Sequence, residues 1–220
     1  MGVGHLAASF AVRGRFSRVP LFYLLAAGAF LDLLFAIAIL TGLEHAHIGS
    51  EQGSVIPIVL DSVPYSHSLV AAVVWGALVC ALWWLWRRER AAAIVLGVLV
   101  ASHWLLDYVS HVPDMPILLS GPLFGLGLWR SREWSLAVEL GMLWIGLAIY
   151  ARETTAKDRI GAVGLVTVCA VLTILGVGSF FSPPPPSMTP LVVGNFVLVL
   201  PLLLIGWVDS HRDLRRAARA

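Results

Sequence analysis

The chain has 220 residues, 59% of them hydrophobic and 13% charged, with a net charge of +2 and a mean hydropathy of +0.86. Soluble domains carry about 25% charged residues, so this composition excludes an ordinary water-soluble globule and makes the bilayer the natural solvent. The small net charge gives no reason to invoke a nucleic-acid partner.

The first apolar run, residues 3–12, is short, and its basic residues follow it instead of preceding it. It therefore does not read as a cleavable signal peptide. A half-helix that folds back into the membrane fits it better, with Arg13 to Arg18 as the turn. Six longer runs follow, at 19–43, 66–86, 91–110, 135–150, 160–181 and 189–208, each able or nearly able to span. The expected class is an all-α, polytopic membrane protein of about six transmembrane helices, forming one integral membrane domain over 1–220. Basic residues mark alternate connections: Arg13, Arg15 and Arg18; Arg87, Arg88 and Arg90; Arg152, Lys157 and Arg159; Arg212, Arg215, Arg216 and Arg219. The other connections hold only Arg130 and Arg132. This asymmetry predicts both termini on the cytoplasmic side of a bacterial inner membrane. Residues 211–220 are expected to form a short basic helix at the inner surface, near anionic lipid. The opposite connections are the acidic stretch 44–65, a Gly- and Pro-rich stretch at 111–134, and a stiff turn through Pro183 to Pro186. Cys80 and Cys169 lie inside apolar runs and read as small hydrophobes. No internal repeat is evident, so the inverted-repeat signature of many transporters is missing.

Polar residues inside the spans are few. Asp32 lies midway along the first, and His67 opens the second. His103 and Asp107 lie four apart in the third and so share a helix face, and His111 follows after four more as a candidate for the same face. Counted from the basic boundaries at about 1.5 Å per residue, Asp32 and His103 lie about 20 Å deep, Asp107 about 26 Å and His67 about 30 Å. His5 reaches about 12 Å if its helix folds back, and helix tilt must close the difference. A lone aspartate at the bilayer centre costs about 2.5–3.5 kcal/mol, so two of them need compensation. A divalent cation with imidazole partners would provide it, and His/Asp sets suit zinc.

The order His5, Asp32, Ser66-His67-Ser68 and Ser102-His103-x-x-x-Asp107 resembles the YdjM-type family of bacterial inner-membrane metal-dependent hydrolases. That family pattern has an N-terminal His, a Pro-Asp-x-Asp element, a Thr-His-Ser element and a Ser-His-x-x-x-Asp element. The second element departs here, since Phe30 to Leu34 keeps one acid and lacks the proline. The resemblance covers residues 1–130, leaving 131–220 as additional helices and a basic tail. The ligand order is also similar to that of the zinc-dependent phospholipase C and P1 nuclease group. That likeness implies one metal held by Asp32, His67, His103 and Asp107, and a second position at which His5 shares Asp107. It also implies catalytic roles for Asp32 and Asp107.

Plainer readings stand beside these. His103 and Asp107 could be a structural pair, Asp32 could bond backbone, and His67 or His5 taken alone could sit at a surface. His45, His47 and His111 read as solvent-facing, Asp114 as a turn residue, and Glu139 as either a ligand or a helix contact. The tryptophans read as interfacial, with Trp83, Trp84 and Trp86 beside Arg87. Three functions remain open: a hydrolase acting on a lipid or lipid-linked phosphoester, an ion- or proton-coupled transporter, and a scaffold with a structural metal. The inner halves of the spans carry almost no polar residues, which weighs against the transporter. The partner expected in every case is membrane lipid.

Overall fold

A computed structural model describes residues 1–16 and 18–215. Among the described residues, five helices are long and apolar enough to cross a membrane, or six if a bent pair is counted as one span. The bent pair is α2 (Leu21–Gly28) and α3 (Phe30–Leu40), set at 53° across Ala29. The others are α4 (Leu69–Arg87), α5 (Arg90–Ser110), α6 (Arg132–Glu153), α7 (Arg159–Phe181), and the nearly continuous α8 (Met188–Val197) and α9 (Val199–Ser210). Before them comes α1 (His5–Val12), the short helix expected at 3–12.

Several helix starts differ from the hydropathy boundaries because polar caps set them. Ser68 Oγ accepts from Ala71 N at 3.1 Å, Ser131 Oγ from Trp134 N at 3.3 Å, and Asp158 Oδ1 from Gly161 N at 2.9 Å. Each cap satisfies an amide that the first helical turn leaves without a partner.

The helices bury apolar side chains in two cores. One joins α2 and α3 to α4 and α5 through Leu24, Leu31, Phe35, Leu96 and Val100. The other joins α1 and α2 to α6, α7 and α9 through Leu6, Phe10, Leu25, Leu143 and Leu202. Side chains such as Val73, Val74, Leu82, Ile94 and Val166 face outward and are exposed. An apolar exterior of this kind suits a surrounding of lipid. Of the tryptophans, Trp84, Trp86, Trp134, Trp144 and Trp207 are exposed. Trp83, Trp104 and Trp129 are buried, so the interfacial reading fails for these three.

Helix α1 packs between α2, α5 and α6. Two glycines make its seat. A Cβ on Gly28 would stand 3.0 Å from the His5 carbonyl, and one on Gly146 would collide with the backbone of Ala7. At the far end Arg13 is buried and bonded to Asp209 of α9, with Nε 2.9 Å from Oδ2. Tyr150 of α6 donates to Asp209 Oδ1 at 2.9 Å, and the Leu21 amide to Oδ2 at 3.3 Å.

The basic connections meet at one end of the bundle. There β5 (Thr154–Ala156) pairs antiparallel with β6 (Arg212–Leu214), and Arg18 Nη1 lies 3.9 Å from Glu89. The strand corrects the expected basic helix over 211–220 for its first part, because these backbone groups find a partner chain segment instead of closing a helical turn. Residues 216–220, with Arg216 and Arg219, lie outside the described residues. At the other end β1 (His45–His47) pairs with β2 (Val59–Ser62), and β3 (Met115–Pro116) with β4 (Leu123–Phe124). The Val55 amide donates to Trp129 O at 2.8 Å, closing these loops over the bundle. Met1 is buried among the helices, and α1 runs from there toward the basic end.

Candidate metal centre

The local folding of three segments decides which atoms meet. Helix α2 ends at Gly28, where a carbonyl loses its helical partner. His103 Nδ1 donates to that Gly28 oxygen at 2.8 Å. A carbonyl can only accept, so Nδ1 carries the proton and a neutral ring has its lone pair on Nε2. His103 Nε2 points to Asp107 Oδ2 at 3.1 Å and Asp32 Oδ1 at 3.6 Å, yet forms no hydrogen bond with either. The atom is buried. The bend at Ala29 lies just before Asp32 and fixes where α3 starts beside α5.

His67 stands just before α4, in the Ser66-His67-Ser68 turn that Ser68 caps. Its Nε2 lies 3.6 Å from Asp107 Oδ2 and 3.9 Å from Asp32 Oδ1. Its Nδ1 lies 2.7 Å from Ser66 Oγ. His5 opens α1, with Nε2 3.0 Å from Asp107 Oδ1 and its ring stacked on His103 at 3.6 Å between centroids. The Met1 ammonium also contacts Asp107 Oδ1 and donates to Ser110 Oγ at 3.1 Å.

The five sequence-derived residues thus come together as two groups sharing His103: His5, His103 and Asp107, and Asp32, His67 and His103. Tetrahedral ligand bonds of 2.0–2.2 Å put neighbouring ligand atoms roughly 3.3–3.6 Å apart. The His–Asp separations of 3.1–3.9 Å from His67 and His103 to Oδ1 of Asp32 and Oδ2 of Asp107 are close to that spacing. Asp107 faces the two groups with different oxygens, Oδ2 toward His67 and His103 and Oδ1 toward His5. The donor set and an orphaned buried Nε2 both fit a divalent ion.

No family model, curated protein or solved structure matches this chain.

The site opens into a cavity of about 410 Å³. The side chain of Asp32 is 28% exposed on this side, whereas that of Asp107 is 2% exposed. The walls come from Phe35, the 56–60 loop, Trp129, the Pro183 and Pro185 turn, and Leu191 of α8. His111 corrects the solvent-facing reading: it is buried, lines the cavity, and donates from Nδ1 to Asp114 Oδ1 at 3.0 Å. Its Nε2 lies 3.8 Å from Asp107 Oδ1, and the Trp129 ring covers it at 4.1 Å between centroids. Asp114 is buried as its partner, more than a turn residue. The spacing of four from Asp107 was the signal for His111, outweighed by its place just beyond α5. Glu139 is a helix contact, accepting from Gly2 N at 2.8 Å and Trp129 Nε1 at 3.5 Å. His45 and His47 are exposed on β1, away from the cluster.

A residue with no signal in the sequence is Glu44. It is buried, and its Oε1 accepts from the amides of Tyr65 at 2.7 Å and Ser66 at 2.8 Å. Its Oε2 accepts from Ser66 Oγ at 2.5 Å.

Proposed function

We propose that this chain is a metal-dependent hydrolase embedded in the bacterial inner membrane, acting on a lipid or lipid-linked ester, with zinc as the preferred ion. The supporting observation is His103 Nε2, a buried ring nitrogen without a hydrogen-bond partner, ringed by Asp32, Asp107 and His67 beside an apolar cavity. Asp32, His67, His103 and Asp107 would hold the ion, with His5 completing the set through Asp107 Oδ1. A bound dication supplies a Lewis acid, which polarises a phosphoryl or acyl oxygen and acidifies water. The chain's own contributions are distinct from this. Gly28 O orients His103, and Asp32 presents its exposed edge to the cavity, where it can orient a water molecule. His111, backed by Asp114, can carry a proton at Nε2. Phe35, Ile56, Ile58, Leu60 and Leu191 offer an acyl chain an apolar wall and exclude water.

A proton or ion relay would need polar groups running on toward the basic end. Between His5 and Arg13, α1 offers only Ser9, whose hydroxyl is donated to Leu24 O at 2.8 Å. The test is metal analysis of detergent-purified protein, followed by hydrolysis assays on phosphoester and acyl-ester lipids in mixed micelles. Stoichiometric metal and turnover are expected, with Leu191→Trp lowering turnover while leaving metal content unchanged. Metal without turnover of any ester lipid would overturn the hydrolase and leave a metal-stabilised scaffold.

A further inference from the structure

Glu44, Ser66 and His67 form a buried chain of hydrogen bonds that leads from the loop after α3 to the His/Asp cluster. Its direction follows from counting donors. The carboxylate of Glu44 has no proton to give, and its Oε1 is engaged by two backbone amides. Ser66 therefore donates its hydroxyl proton to Oε2. Its oxygen is left as an acceptor, so His67 Nδ1 must carry the proton that bridges the 2.7 Å to Ser66. A neutral His67 then has its lone pair on Nε2, the nitrogen that faces Asp32 and Asp107.

We propose that Glu44 is a positioning residue of the metal centre, selecting the ligating tautomer of His67 through Ser66. This inference rests on the metal-centre reading above. Outer carboxylates that orient a ligand histidine typically change metal affinity 10–100-fold when removed. Here the carboxylate acts through a hydroxyl, and it belongs to the segment joining α3, which carries Asp32, to the β1–β2 hairpin. The same two amides that bind Oε1 clamp the backbone at Tyr65 and Ser66, so ring orientation and tautomer are set together.

The critical variant is Glu44→Gln. Its carbonyl can keep the two amide bonds, which puts its NH2 group where Oε2 stood. That group donates to Ser66, whose hydroxyl must then donate to His67 Nδ1. The chain reverses, and Nε2 acquires the proton. Nitrogen-15 NMR of histidine-labelled, full-length protein in detergent should find His67 protonated on Nδ1 without added metal, and on Nε2 in Glu44→Gln. Zinc titration by calorimetry should give about 10–100-fold weaker binding for Glu44→Gln, a similar or smaller loss for Ser66→Ala, and wild-type affinity for Ser66→Thr, which keeps the hydroxyl. If Glu44→Gln fails to fold, the wild-type tautomer and Ser66→Ala still decide. Wild-type His67 protonated on Nε2 overturns the proposal. So do unchanged zinc affinities in both variants. A wild type that binds no zinc but keeps the Nδ1 proton overturns the metal centre instead, which separates the two failures.

Discussion

Removing metal should destabilise the folded protein, and the size of the effect follows from the cluster. Asp32 and Asp107 bring two carboxylates into a cluster of histidines, and their desolvation is offset when a dication binds. At a zinc concentration one hundred times Kd, linkage contributes about 2.7 kcal/mol to the folded state. At about 2–4 °C per kcal/mol for a chain of this size, chelation should lower the melting temperature by about 5–11 °C. Tryptophan fluorescence is a suitable assay, because several of the nine tryptophans are buried and one of them, Trp129, packs on His111 in the cavity wall. Added zinc should restore the transition. His103 belongs to both three-residue groups, so His103→Ala leaves two ligands in each and should abolish the response. His5→Ala leaves Asp32, His67 and His103 together and should keep part of it. If chelators leave the melting temperature unchanged and the purified protein holds no stoichiometric metal, the reasoning fails.

Gly28→Ala puts a methyl group against the His5 carbonyl, so it should lower stability by about 1–3 kcal/mol and weaken zinc binding, read by thermal unfolding and titration. Arg13→Ala leaves Asp209 buried without its cation and should cost about 3–5 kcal/mol, part of which the double variant with Asp209→Asn recovers. Asp158 accepts from the Gly161 amide and from His211, and these bonds hold its carboxyl below the usual range. Its contribution is full above the unfolded carboxylate pKa and fades as pH falls through the depressed folded value. The melting temperatures of Asp158→Ala and wild type should therefore differ at neutral pH and converge in acid.

The helical class and the meeting of His103 with Asp107 were legible because each rests on a local property: apolar runs for the helices, and i to i+4 spacing for the pair. The folded-back α1 was legible too, from a short apolar run closed by arginines. Contacts between distant segments were not. Nothing in the stretch 44–65 marks Glu44 as the partner of Ser66, 22 positions away. His111 reads as a loop residue until Trp129 and Gly127 fold over it, the Gly127 amide donating to His111 O at 2.7 Å. Arg13 reads as one charge of a topology signal, yet it is spent on Asp209, because charge counting cannot distinguish a lipid headgroup from a buried carboxylate. The bend at Ala29 was also hidden, since residues 19–43 are evenly apolar and the break serves packing against α1 and α5.

The seat of α1 draws on segments far along the chain. All five candidate ligands are translated within the first 107 residues, but the helix carrying His5 leans on Gly146 and Tyr150 of α6 and is tied to Asp209 of α9. A nascent chain holding α1 to α5 has the ligands and lacks the walls that press α1 inward. The contacts that seat the helix carrying His5 come from α6 and α9, later in the chain than every candidate ligand. The candidate centre thus depends on residues outside it, in α6 and α9, for the placement of one of its five members.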